Sequence, residues 1–264
     1  MDFGIEDKVA VVSGSTAGIG LAIAAALAKE GAKVVVNGRT QARVAGALDA
    51  IRKQASGASL EGVAANLATA AGVASFVQQV PQADILINNL GIFEPKPFAE
   101  IPDADWMRFF ETNVLSGVRL TRSYLPGMLK NRWGRVIFIS SESSQNIPAE
   151  MIHYGMTKTA QVAVARGIAE SVAGTGVTVN SVLPGPTASE GVGTFVASMA
   201  KQQNISQAQV EEQFFDKMRP SSLLKRFETT EEVAAVVAFI ASAQSAAING
   251  AAVRAEGGVI RSIF

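Results

Sequence analysis

Tyr154 and Lys158 stand four residues apart in His-Tyr-Gly-Met-Thr-Lys. On a helix that spacing puts both side chains on one face about one turn apart, where a lysine ammonium can lower the pKa of a phenol and let it pass a proton. The pair alone is weak evidence, because Tyr-x-x-x-Lys arises by chance on many helices. Its weight depends on what the chain brings to it. Ser140 and Ser141 close the apolar run Arg135-Val-Ile-Phe-Ile, and Ser141 precedes Tyr154 by thirteen positions. Far upstream, Gly14-Ser15-Thr16-Ala17-Gly18-Ile19-Gly20 follows Lys8-Val-Ala-Val-Val-Ser13 and leads into an alanine-rich stretch. Glycines at such a turn let the backbone approach a pyrophosphate, whose charge amide groups at a helix N-terminus can hold.

These residues need strands that end near one another and helices that return the chain. Residues 8–13, 34–37, 60–65, 84–88, 135–140, 177–182 and 250–255 are short and mostly apolar, the first rich in β-branched residues, which predicts seven strands. Between them, residues 21–29, 44–51, 69–80, 105–130, a stretch that holds Tyr154 and Lys158 and runs to about Ala173, and 233–240 carry helical spacing, with Asn113 in the middle of the longest. Strands alternating with helices at this interval imply a doubly wound parallel sheet of Rossmann type, with helices on both faces. Ligands of such a sheet bind beyond the strand C-terminal ends, and the glycine turn, Asn37 to Thr40, Asn66, Asn88 to Gly91, Ser141 and Pro184-Gly185 all fall there. The chain reads as a single domain over 1–264. Residues 186–227 loosen into a mixed polar and aromatic stretch, expected to be a mobile, partly helical lid.

Composition excludes several classes. Twenty-three basic residues balance 23 acidic ones, so no net field attracts nucleic acid or an anionic membrane. Cysteine is absent, which removes disulfides, thiolate metal sites and cysteine nucleophiles. No His and acid cluster has metal-ligand spacing, and no metal is expected. No signal peptide or membrane span is legible, so a cytoplasmic protein with a small-molecule partner is the expectation.

In the order and intervals of Ser13 to Gly20, Asn88-Asn89-Leu90-Gly91, Asn113, Ser141, Tyr154 with Lys158, and Pro184-Gly185, the chain resembles the short-chain dehydrogenase/reductase family along nearly its whole length. That resemblance implies an oxidoreductase interconverting a carbonyl and a secondary alcohol. Ser141 would hydrogen-bond the substrate oxygen, with Ser140 its competitor by register. Tyr154 would give or take the proton while the nicotinamide gives or takes the hydride. Lys158 would hold the nicotinamide ribose and tune Tyr154, and Asn113 would support a proton relay. The dinucleotide would lie along Gly14, Ser15, Thr16, Gly18, Ile19, Gly20, Arg39, Thr40, Asn66, Leu67, Asn89, Gly91, Tyr154, Lys158, Pro184, Gly185 and Thr187, with Ser189 an alternative to Thr187. A homotetramer is implied as well. The alternative function is a dinucleotide sensor with the same fold and no turnover.

Cofactor choice turns on the end of the second strand. Asn37-Gly38-Arg39-Thr40 has no carboxylate to repel a 2′-phosphate and offers a guanidinium, which favours NADP(H) over NAD(H); Arg39 could instead stack on adenine. Asn66 stands where relatives often carry Asp, and Leu90 replaces a small residue, either crowding the cofactor or tightening packing. Phe93, Glu142, Gly191 and Val192, with Phe195 and Met199, are candidates for the substrate wall. His153 points about 100° away from Tyr154 on the same helix and is assigned no catalytic role.

Overall fold

A computed structural model describes residues 2–263, with the backbone only at Phe195. Seven strands form one parallel sheet: β1 Val9–Val12, β2 Lys33–Gly38, β3 Leu60–Ala64, β4 Ile85–Asn88, β5 Gly134–Ile139, β6 Val177–Pro184 and β7 Ala252–Ala255, in the order β3-β2-β1-β4-β5-β6-β7. β4 and β5 are buried at every residue, as strands covered on both faces must be, which is why they carry continuous apolar runs. One covering layer contains α1 Gly18–Lys29, α2 Gln41–Gln54 and α9 Thr230–Ala241, packed around Ile23, Leu27, Ile51 and Val237. The other contains α3 Ala70–Gln79, α5 Ser116–Asn131 and α6 Ile152–Ser171, packed around Phe76, Leu120, Phe138 and Ala165. The doubly wound architecture read from the pattern is the one observed.

The strand order reverses between β1 and β4, so the chain leaves these neighbouring strands in opposite directions and opens a crevice above their C-terminal ends. Among the described residues no helix is long and apolar enough to cross a membrane.

Two segments differ in detail from the pattern. The helix bearing Asn113 is interrupted: α4 Asp103–Phe110 passes through a π-helical turn, Glu111–Leu115, before α5. Such a turn inserts a residue into the ladder and redirects the side chains within it, which hydrophobic spacing does not reveal. Residues 186–227 are more helical than their composition suggests, with α7 Glu190–Gln203, α8 Gln207–Gln213 and a second π-helical turn, Phe214–Met218. Val196, Ala200 and Val210 give these helices a small core of their own, which Met199 and Phe227 help to cover.

Candidate active site

The glycine turn is fixed by a neutral hydrogen-bond network. Asn37 Oδ1 accepts from Gly14 N at 3.2 Å, and its amide nitrogen donates to the carbonyls of Val63 and Ala65. The Ser15 hydroxyl faces inward, donating to Val12 O at 2.7 Å and accepting from Asn37 N at 2.9 Å. Asn89 Nδ2 donates to the carbonyls of Ser13 and Gly14 at 3.0 Å each. Gly14 and Gly18 have φ of 61° and 55°, where a side chain is strained. At Gly20 an added Cβ would stand 2.6 Å from Gly14 O, so that contact requires glycine as well. Leu90 packs against Gly14 and onto the core.

The turn fits a dinucleotide phosphate. Ala17 gives α1 no side-chain cap, whereas Thr40, Thr69, Ser189 and Thr229 cap α2, α3, α7 and α9. No acid lies in the first turn of α1 to compete for its amides. At the end of β2, Arg39 is exposed, Thr16 stands against Gly38, and Thr40 accepts from Arg43 N. Arg43 Nη2 pairs with Glu190 Oε2 at 3.2 Å, joining the start of α2 to the start of α7. Asn66 is exposed and its Oδ1 accepts from Ala68 N at 3.3 Å, so one acceptor position of that amide is already used; Leu67 is a core side chain.

One cavity of about 270 Å³ joins this turn to the residues around Tyr154. Ile19, Asn89, Gly91, Ser141, Glu142, Tyr154, Lys158, Pro184, Gly185, Thr187 and Val192 line it together with Phe93. Within this set the two serines separate. Ser140 Oγ donates to Lys158 O at 2.8 Å and ties β5 to α6, while the Ser141 hydroxyl lies close enough to hydrogen-bond the Tyr154 phenol. Thr187 is buried, its hydroxyl donating to Gly185 O at 2.9 Å. Gly191 is not part of the wall: an added Cβ would stand 3.2 Å from Phe93 Cζ, so glycine there lets α7 approach Phe93, whose ring meets Tyr154 edge-on. The Phe195 side chain lies outside the described residues.

Burial dominates the two titrating groups. It raises the Tyr154 phenol to about 12, against pulls from the Ser141 hydroxyl and the Arg219 guanidinium. It lowers the Lys158 amine to about 7. Lys158 Nζ donates to Ile139 O at 2.9 Å and lies 5.5 Å from the centre of the Tyr154 ring. Helical spacing brings the pair together as expected, while the downward pulls on the phenol come from Ser141 and Arg219, and desolvation outweighs them.

Asn113 is held from every side. Its Oδ1 accepts from Ile92 N at 2.8 Å, its Nδ2 donates to Ile92 O and Thr157 Oγ1 at 3.0 Å each, and its carbonyl accepts from Gln161 Nε2 at 2.7 Å. The side chain therefore clamps the loop after Gly91 to α6. His153 is buried against Phe109, with ring centres 4.1 Å apart, and does not line the cavity.

Sequence reasoning missed Asn37 as the hub of the turn, Gln161 as the partner of Asn113, and Arg219. Arg219 Nε donates to Glu142 Oε1 at 2.9 Å, and Arg219 Nη1 lies 3.5 Å from Glu150 Oε1. No local signal marks it, because its partner is 77 residues away. Among the described residues no three histidine or acidic side chains gather as a metal ion requires.

A parallel sheet with a glycine turn at its switch point and Ser, Tyr and Lys in the adjoining cavity defines an NAD(P)-dependent oxidoreductase. The chain belongs to the short-chain dehydrogenase family, whose model matches residues 8–203. It is 47% identical to the uncharacterized oxidoreductase YvaG of Bacillus subtilis (strain 168), over 100% of both chains. It is 32% identical to D-beta-hydroxybutyrate dehydrogenase of Rhizobium meliloti (strain 1021), over 95% of this chain and 98% of that one. Among solved structures, L-sorbose reductase from Gluconobacter frateurii, complexed with NADPH and L-sorbose, matches with a TM-score of 0.94 at 30% identity, over 100% of both chains.

Proposed function

We propose that the chain interconverts a ketone and a secondary alcohol with NADP(H), and that Tyr154 gives or takes the proton. The observation that carries this reading is the placement of Ser141, Tyr154 and Lys158 on one cavity that runs to Gly91, Pro184 and the glycine turn. When bound, the nicotinamide supplies or accepts the hydride. The α1 amides from Gly18 to Gly20 hold the pyrophosphate, and Arg39 with Thr40 holds the 2′-phosphate. Asn66 and the backbone of Leu67 would hold the adenine, and Asn89, Gly91 and the Pro184 to Thr187 segment would hold the nicotinamide. The NADPH in the L-sorbose reductase complex supports the choice of phosphate.

Ser141 donates to the substrate oxygen and keeps it beside Tyr154. A phenol raised to about 12 is a proton donor that stays protonated at neutral pH, as ketone reduction requires. Lys158 holds the nicotinamide ribose hydroxyls, and the Asn113 clamp keeps Gly91 and α6 in register for a proton relay. Residues 186–227 act as the lid of the same domain, with Val192 and Phe227 on its inner face. A cytoplasmic homotetramer, as the resemblance implies, is part of the proposal and is measured by light scattering.

Similarity does not choose the substrate, because two of the three relatives carry names of a carboxylate and of an uncharged sugar, and the third names none. The test of the reading is titration with NADPH and NADH followed by a panel of ketones. NADPH should bind more tightly and be oxidised by at least one of them; binding without oxidation by any would support a sensor.

A further inference from the structure

Beyond Tyr154 the cavity wall carries a buried ion pair whose acid is only half used. Glu142, which directly follows Ser141, is 3% exposed, and Arg219, just after the second π-helical turn, is 7% exposed. Glu142 Oε1 accepts from Arg219 Nε at 2.9 Å and from Ser143 Oγ at 3.2 Å. Glu142 Oε2 is buried and meets no donor at full hydrogen-bond geometry, although the Asn146 side chain stands near the carboxylate and, with Arg219 and Ser143, opposes the upward pull of burial on its pKa. Taking a carboxylate out of water costs several kcal/mol, and a structural pair recovers this only when the remaining lone pairs find donors. Arg219 is better supplied: Nη1 also donates to Met218 O at 2.9 Å and approaches Glu150. An orphaned acceptor on a residue of the cavity wall, beside the proposed substrate-oxygen donor, is a place for a donor that arrives with the substrate.

Charge decides which donor. Two acids, Glu142 and Glu150, lie against one guanidinium, so a substrate carboxylate would meet a wall on which acids outnumber the cation. A substrate ammonium would stand against Arg219, which already neutralises Glu142. A neutral hydroxyl satisfies the free oxygen with neither penalty.

We propose that Glu142 is a specificity-determining residue, its Oε2 accepting a hydrogen bond from a substrate hydroxyl near the reacting carbonyl, so that the substrate class is hydroxyketones and not keto acids. This rests on the carbonyl-reductase reading above. The apolar side of the cavity, formed by Ile92, Phe93, Met151 and Val192, takes the remaining carbon chain.

The experiment measures kcat/KM of the wild-type protein with NADPH for two matched pairs in which methyl replaces hydroxyl: 1-hydroxy-2-butanone against 3-pentanone, and 4-hydroxy-2-butanone against 2-pentanone. The keto acid 2-oxobutanoate is measured beside them. In at least one pair the hydroxyl compound should be favoured by about 10- to 100-fold, the range of a hydrogen bond to a charged group. Glu142→Met, which removes the acceptor at similar length, should bring that ratio to about one, and the milder Glu142→Gln should lower it. The wild-type ratios need no variant to fold. Ratios near one in both pairs, a ratio that survives both substitutions, or a preference for 2-oxobutanoate would overturn the proposal while leaving a working reductase. Absence of NADPH oxidation with every ketone would instead overturn the reductase reading, and this proposal with it.

Discussion

Two buried arginines lie near opposite ends of β5 and are stabilised in different ways. Arg135, at the start of the strand, donates to the carbonyls of Ser242 and Gly134 at 3.0 and 2.9 Å and lies over the Trp133 ring. Its hydrogen-bond partners among the described residues are carbonyls, and the other charge against the same Trp133 ring is the Lys8 ammonium at 4.5 Å, so this arginine is held by dipoles and a ring and not by a carboxylate. Arg219, beyond the other end of the strand, is held by two carboxylates, and one of them keeps an oxygen free. The first end closes the sheet; the second retains polar capacity that folding does not use. That asymmetry follows the rule that parallel sheets bind ligands at strand C-terminal ends, and it distinguishes a buried charge kept for stability from one kept for recognition.

The sharpest way to break the comparison is to remove each guanidinium. Arg219→Met leaves Glu142 buried without its cation and should cost about 3–5 kcal/mol in urea denaturation, most of it recovered by adding Glu142→Gln. Arg135→Met orphans carbonyls only and should cost about 1–3 kcal/mol, with no rescue by Glu142→Gln. A larger loss at Arg135 than at Arg219 would reverse the proposed contrast.

Lys158 extends the contrast to the residues proposed to transfer the proton. Its folded pKa of about 7 lies below the ordinary lysine value of 10.5, so between these values the folded protein binds fewer protons than the unfolded chain. Stability from this group therefore rises with pH through that window, and its full penalty is present below pH 7. Lys158→Met should stabilise the cofactor-free protein at neutral pH by on the order of 3 kcal/mol, while lowering turnover by about 10²- to 10⁴-fold. A variant that is both less stable and less active would show that Lys158 supports the fold, and thermal melts across this pH range would reveal it.

At the far end of the crevice the expected effect is smaller. Arg39→Ala should weaken NADPH binding by about 10- to 100-fold, the value of a charged hydrogen bond to phosphate, and leave NADH within about threefold. Equal losses for both cofactors in a fluorescence titration would place Arg39 on the adenine instead.

Much of this site is legible in the sequence because its parts are local. Tyr154 and Lys158 share a helix face, and the glycine turn lies between one strand and one helix. The strand-end rule gathers Ser141, Gly91 and Pro184 without any knowledge of distances. What stays hidden depends on side chains meeting across the fold. The choice between Ser140 and Ser141 needs the register of β5 against α6, in which Ser140 is tied to Lys158 O. The Asn113 clamp needs a π-helical turn that leaves no mark on periodicity. Asn37 is noticed in the sequence only as a missing acid, yet it holds Gly14 in place. Arg219 lies in the stretch with the weakest pattern, and only the packing of residues 214–219 brings it to Glu142.

The proposed proton transfer depends most directly on the phenol of Tyr154. The measurement is kcat for NADPH-dependent reduction of a ketone accepted by the wild-type protein, compared with NADPH affinity in the same preparation of Tyr154→Phe. The predicted result is a fall in kcat of about 10²- to 10⁴-fold with the dissociation constant changed by less than about threefold. Full turnover in Tyr154→Phe would contradict it, since no proton could then come from that position.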